Sequence, residues 1–439
     1  MEPPAPFDPH VTSHPDPEAS LPGAPEPWAP LPQPARRQGP PWWLTEMIAV
    51  EPALAGRVLR RMGARLVSAG APGTAPRPAA PGRDDPAGRL AGSIRRTLET
   101  GGPVVVTGCG TSEHGALAFA EIVADAAVRA RIAGADGPGS IVARGAFEAA
   151  QDPQRGGFIV AISHEGGTAA TLDAVRAAKA NGAHTAAVTV SAASPLGQLA
   201  RQVLATGEVD LGWCHSVGYL SPLLAATAVA AALTGDGRDA DPAAIRSVLA
   251  EGAGRGADAH AAAARVTATE GLAGRIAGAS RLLVLASGAD RVAAAELALK
   301  VEEACWLPAT PCDLETFLHG HLAAVEPDTA LLLVLADRRG REARSARAQQ
   351  AMAAAARIGA APGALLAAGL DAEWPAFLAP AGRILVPEAA SLPAPVAALL
   401  GTATPLQLLV ERMARTRGTD PDQLRRDQLA YREAAALAE

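Results

Sequence analysis

The chain repeats one local pattern: a short β-branched run, a turn of small residues, then an Ala-rich stretch with helical spacing. "PVVVTGCGTSEHGALAFAEIVADA" gives it first, "GFIVAISHEGGTAATLDAVRAAKANG" repeats it, and "TAAVTVSAASPLGQLARQVL" does so again. After the charged break "GDGRDADP" the theme returns in "RLLVLASGADRVAAAELALKVEEA", "TALLLVLADRRGREARSARAQQAMAAAARIG", "GALLAAG" and "GRILVP". Strands alternating with helices predict parallel sheets covered on both faces. Two such series predict an α/β chain of two tandem, doubly wound domains. Of the 439 residues 49% are hydrophobic and only 19% charged, enough apolar content for two large cores.

The flanks read differently. Residues 1–41 carry 14 prolines and almost no apolar periodicity, the composition of a disordered arm. "WWLTEMIAVEPALAGRVLRRM" predicts an amphipathic helix, and a loose Pro/Gly segment from Gly70 to about Gly82 follows within a linking region, 42–89. The first domain is expected at 90–238, the second at 254–417 and a C-terminal tail at 418–439.

A formal charge of -6 leaves no basic footprint, which argues against nucleic acid or an anionic membrane as partner. The uncharged stretch Leu211–Leu233 is interrupted by His215 and Pro222 and reads as a buried helix, not a membrane span. Cys109, Cys214, Cys305 and Cys312 have no framework spacing, and Cys305, Cys312, His319 and His321 match no zinc pattern. Free thiols, no metal and no cofactor are expected. The acidic opening "MEPPAPFDPH" has no secretory character, so a cytoplasmic location is expected.

In doubly wound sheets ligands gather beyond the carboxyl ends of strands, where helix N-termini present free N–H groups. "GCGTSEHG" and "SHEGGT" fall there. Ser112 and Thr168 stand at helix starts, where a hydroxyl either caps the helix or reaches a ligand oxyanion. In "AELALKVEEACW", Glu296, Lys300 and Glu303 share one helix face, either as a plain Glu-to-Lys surface pair with Glu303 solvated beyond it, or as working groups.

"GCGTS", "SHEGGT", "AELALKVEEACW", "ETFLHGHLAAV" and "TPLQLLVERMARTRGTDPDQ", in this order, resemble the sugar isomerase (SIS) domain family over about Trp42 to Tyr431. The arrangement is similar to the isomerase half of glucosamine-6-phosphate synthase and to related ketosamine deglycases and aminosugar-phosphate deaminases. The resemblance implies two flavodoxin-like domains and a sugar or sugar phosphate held by Gly110, Thr111, Ser112, Ser163, His164, Glu165 and Thr168. It further implies that Glu303 moves a proton between C1 and C2 of the open-chain sugar, and that His319 opens the ring, reaching the site from the other subunit of a homodimer.

Several residues depart from that pattern. No Cys follows Met1, so glutamine-fed ammonia transfer is not expected. Leu429 stands where the synthase has its Schiff-base lysine, and Glu302 where it has a basic residue. Glu165 puts a carboxylate inside the phosphate turn, where a charge about 4 Å from a dianion costs several kcal/mol. Three outcomes are open: Glu165 turns away, protonated His164 offsets it, or the ligand carries hydroxyls or an amine there. Arg425 and Arg426 are candidate sources of positive charge. The reading is a C1/C2 isomerase, deaminase or deglycase; the alternative is a binding protein that keeps the sugar site without the chemistry.

Overall fold

The computed structural model describes residues 15–63, 85–137 and 140–437. Strands β1 (Val104–Gly108), β2 (Ile141–Gly145), β3 (Phe158–Ile162), β4 (His184–Thr189) and β5 (Gln202–Ala205) form a parallel sheet in the order β2-β1-β3-β4-β5. Strands β6 (Arg281–Ala286), β7 (Ala309–Asp313), β8 (Thr329–Leu335), β9 (Ala361–Ala367) and β10 (Gly382–Val386) form a second, in the order β10-β9-β8-β6-β7. Read from the β7 edge, the second sheet winds as the first does. Each has its reversal point beside its first strand, between β1 and β2 on one side and β3 on the other, and likewise at β6. The two tandem doubly wound domains read from the sequence are therefore present.

The central strands β1, β3 and β8 are buried at every residue, as strands with helices on both faces must be. The Ala-rich helices allow close packing. Helix Thr111–Arg129 meets helix Val217–Thr234 at Gly115, where a Cβ would lie 2.6 Å from the Pro222 ring. Val217–Thr234 and Ala394–Arg417 are both long and apolar enough to cross a membrane, yet 83% and 94% of their most apolar windows are buried inside the protein.

The expected disordered arm is corrected for residues 15–41; residues 1–14 and the expected linker Gly70 to Gly82 lie outside the described residues. The arm has no helix or strand, but it is tied down at both ends. Leu21 is 1% exposed and its N–H donates to Glu208 Oε2 at 2.9 Å. The Pro22 carbonyl accepts from Val209 N–H at 2.9 Å, and the Pro34 carbonyl from Gln423 Nε2 at 2.7 Å. Glu208, itself buried, is also paired with Arg57 and Arg61. Prolines that forbid regular structure also restrict the unfolded chain, so fixing this segment costs less entropy than a composition rule assumes.

Candidate functional site

The turn after β1 is set by Gly110, whose φ of 56° suits a residue without a side chain, and it launches helix Thr111–Arg129. Ser112 lies within the first helical turn and is not the cap. Thr111 is buried and its hydroxyl accepts a hydrogen bond from Lys300 Nζ at 2.6 Å. Lys300 comes from the second half of the chain, on helix Asp290–Cys305.

The plain surface-pair alternative for that helix does not hold. Lys300 is 1% exposed, lies 2.7 Å from Glu303 Oε2 and 3.6 Å from Glu296 Oε1. Glu296 is fully buried and meets His114 Nδ1 at 2.7 Å. Burial alone would strip the proton from Lys300, but the Glu303 and Glu296 carboxylates outweigh it and hold its pKa above the usual lysine range. Lys300 is therefore a fixed ammonium between the first-domain turn and Glu303. Burial raises the Glu303 carboxyl above its ordinary range, against the opposing pull of Lys300. The Cys214 thiol lies against the same carboxylate. Lys300 and His114 were visible only as a helix spacing and a letter in a turn; their juxtaposition across the two halves has no local signal.

The turn after β3 answers the question that Glu165 poses. Ser163 Oγ accepts from Gly166 N–H at 3.1 Å and lies 3.3 Å from Thr168 Oγ1. Gly166 has φ 82°, and a Cβ there would fall 2.3 Å from Ser194 Oγ. Thr168 occupies the cap position of helix Ala169–Ala180, but its hydroxyl makes no cap hydrogen bond. The Gly167 and Thr168 N–H groups, both on exposed residues, make no backbone hydrogen bond among the described residues. N–H groups placed so at a helix start are able to donate to an anion.

His164 cannot offset Glu165 as a cation. Burial lowers its pKa to about 4, and its Nε2 accepts the Asp210 N–H at 2.9 Å, which requires the neutral ring. Glu165 instead turns to the arm: its carboxylate accepts the Leu31 N–H and its carbonyl accepts Trp28 Nε1–H, both at 3.2 Å. Burial raises the Glu165 pKa, with the Leu31 N–H working against that shift. The turn joins the Lys300 cluster through the loop Asp210–Ser216, since the His164 ring packs 5.2 Å from that of His215.

In the second half the donors beyond β6 and β8 are occupied. Asp290, in the turn after β6, accepts the Ala336 N–H at 2.8 Å and the Asp337 N–H at 3.0 Å. Asp337 is in turn held by Arg339 and Arg344. The donors that a ligand would use there are filled by the protein's own carboxylates.

Glu303 also borders a cavity of about 420 Å3 lined by Glu302, Trp306, Leu424, Arg425 and Tyr431, among others. Arg425 lies between two rings, 4.4 Å from that of Trp306 and 3.8 Å from that of Tyr431. Its Nε and the Trp306 Nε1 have no hydrogen-bond partner. Glu302 is exposed and accepts the Ala309 N–H at 3.1 Å. Arg426 packs over Trp213, and Leu429 is 59% exposed. His319 is not brought to Glu303 within this chain; it is exposed and meets Glu315 and Arg347.

Residues 101–233, the span of the first sheet and the ligand turns, match the family model of the SIS domain. That segment belongs to the SIS-domain family. No curated protein sequence matched it. Among solved structures, this protein is similar to the C-terminal domain of glucosamine-fructose-6-phosphate aminotransferase from Francisella tularensis, with TM-score 0.68 and 16% identity, over 89% of this chain and 99% of that one. It is also similar to tagatose-6-phosphate ketose/aldose isomerase from Escherichia coli, with TM-score 0.59 and 16% identity, over 89% and 97% of the two chains. A third likeness is to glucosamine-6-phosphate deaminase from Thermotoga maritima, with TM-score 0.50 and 16% identity, over 77% and 95%. These likenesses span both domains, so the second half shares the fold of the first.

Proposed function

We propose that this SIS-domain protein is a sugar-phosphate or aminosugar-phosphate enzyme that moves a proton between C1 and C2 of the open-chain sugar, with Glu303 as the base. The observation that carries this is the Glu303–Lys300–Thr111 bridge. It sets a half-buried carboxylate of raised pKa one ammonium away from the first ligand turn and on the wall of a sugar-sized cavity. A base poised above the ordinary carboxylate range is suited to taking a proton next to a carbonyl near neutrality. Lys300 would hold the enediolate oxygen's developing charge, because it is a protonated donor with no path to become a nucleophile. Covalent capture is not part of this scheme: Leu429 is apolar, and Lys300 stays charged.

Thr111, Ser112, Ser163 and Thr168 would hold the far end of the sugar, with the Gly167 and Thr168 N–H groups. His319, from a second copy, would open the ring. The three similar structures, an aminotransferase, an isomerase and a deaminase, are all named for sugar 6-phosphates, which supports the substrate class. The test is solvent exchange: fructose 6-phosphate and glucosamine 6-phosphate are incubated with enzyme in D2O and deuterium at C1 and C2 is followed by NMR. Exchange should fall by about 10²- to 10⁴-fold in Glu303→Gln. Exchange that is undiminished in that variant removes Glu303 as the base.

A further inference from the structure

We propose that residues 23–33 of the Pro-rich arm form a lid over the ligand turn, latched by Glu165 and Trp28, that lifts when a phosphate-bearing sugar binds. This rests on the reading of Ser163–Thr168 as a ligand subsite. The arm is fixed at Leu21–Pro22, through Glu208 and Val209, and again at Pro34–Ala35, through Gln423 and the Trp43 indole. The anchors at Leu21 and Pro34 are buried. Between them the chain passes over the turn, held by two longer hydrogen bonds to a single residue, Glu165, both at 3.2 Å.

Trp28 adds contact without closing the site for good. Its ring edge would lie 3.2 Å from a Cβ at Gly167, so the indole covers the same residue whose N–H is available to an anion. Gly167 and Thr168 nevertheless remain exposed. Two firm ends and a weak middle are the construction of a strap that lifts locally while the anchors stay. The prolines at 25, 27, 30 and 32 restrict the backbone, so it moves as a stiff segment. The lid also gives Glu165 a use. A carboxylate amid oxyanion donors is a liability toward a phosphate but a good acceptor for a backbone N–H, and here it is the catch.

The far anchor matters as well. Pro34 is held by Gln423, and Arg36 pairs with Asp427, so the strap ends on the tail segment that carries Arg425 into the Glu303 cavity. Lifting the middle therefore needs no release of the tail.

The experiment uses the full chain as wild type, Trp28→Ala and Glu165→Ala, with amide hydrogen exchange over residues 28–35 and calorimetric titration of fructose 6-phosphate. In the wild type, saturating ligand should speed exchange at Leu31. Each variant should show fast exchange without ligand and bind about tenfold tighter, the factor one net hydrogen bond is worth. Tighter binding in Glu165→Ala alone would mean simple charge repulsion and would overturn the lid, since Trp28→Ala changes no charge. Unchanged exchange at saturation would overturn it too. If fructose 6-phosphate binds no form, the sugar-phosphate reading fails instead. The lid is then decided with inorganic phosphate, which must bind both variants more tightly than the wild type.

Discussion

Lys300 shows how little a residue's sequence context reveals about its work. In the sequence it is a helix lysine four residues after a glutamate; in the fold it is the one ammonium set among Thr111, Glu296 and Glu303. Removing it as Lys300→Met leaves the buried Glu296 and the half-buried Glu303 without their ammonium, which should cost on the order of 3–5 kcal/mol in urea unfolding. Lys300→Met combined with Glu296→Gln should recover part of that loss, and equal losses in the single and double variants would mean the two groups are not coupled. His164 offers a second test. Its folded pKa of about 4 lies below the ordinary imidazole value of 6.5, so the unfolded state binds the proton first and the native state loses stability as pH falls through that window. Asp210 and Asp290, raised by burial to about 6 and about 7, act in the opposite sense. The wild-type curve is therefore a sum, and the informative quantity is the difference from His164→Gln, which keeps an acceptor for the Asp210 N–H. Acidification from about pH 6.5 to about pH 4 should destabilise wild type relative to the variant by up to about 3 kcal/mol.

Among the elements, what could be read depended on burial. β1, β3, β4, β6 and β8 announced themselves because a strand covered on both faces must be a continuous apolar run. The edge strands β2, "IVARG", and β7, "ATPCD", carry an arginine and a proline because one side faces solvent or a single neighbour, and they are indistinct in sequence. The turns were placed correctly because strand ends and helix starts fix them, and "GCGTS" and "SHEGGT" lie where expected. The direction of Glu165 was not legible: its partner is 134 residues away in a segment whose composition suggested disorder. Turn geometry itself can be tested. Gly166→Ala needs a positive φ and pushes a methyl onto Ser194 Oγ, so it should lower stability by about 1–3 kcal/mol and weaken any ligand held by Thr168, measured by thermal shift with fructose 6-phosphate. A variant as stable as wild type would mean that the turn can relax without Gly.

For the whole molecule, the sequence resemblance and the single chain disagree about His319 in a way that makes a sharp prediction. Within one chain it lies exposed beside Arg347 and Glu315, not at the Glu303 cavity. If it acts there, a second copy must deliver it, and the catalytic unit is a dimer with each site built from both chains. Glu303→Gln and His319→Ala should each inactivate the homodimer. Mixed by unfolding and refolding together, the two inactive proteins form heterodimers in which one site carries both substitutions and the other carries neither. Random pairing makes half the dimers mixed, so about a quarter of wild-type C1/C2 exchange should return. Recovery of none, with heterodimers confirmed by affinity tags, would place His319 outside the reaction or in the same chain's site, and the ring would have to be opened by a group already beside Glu303. His114, whose Nδ1 meets Glu296 in the Lys300 cluster, is an imidazole already in that cluster and would be the next to replace.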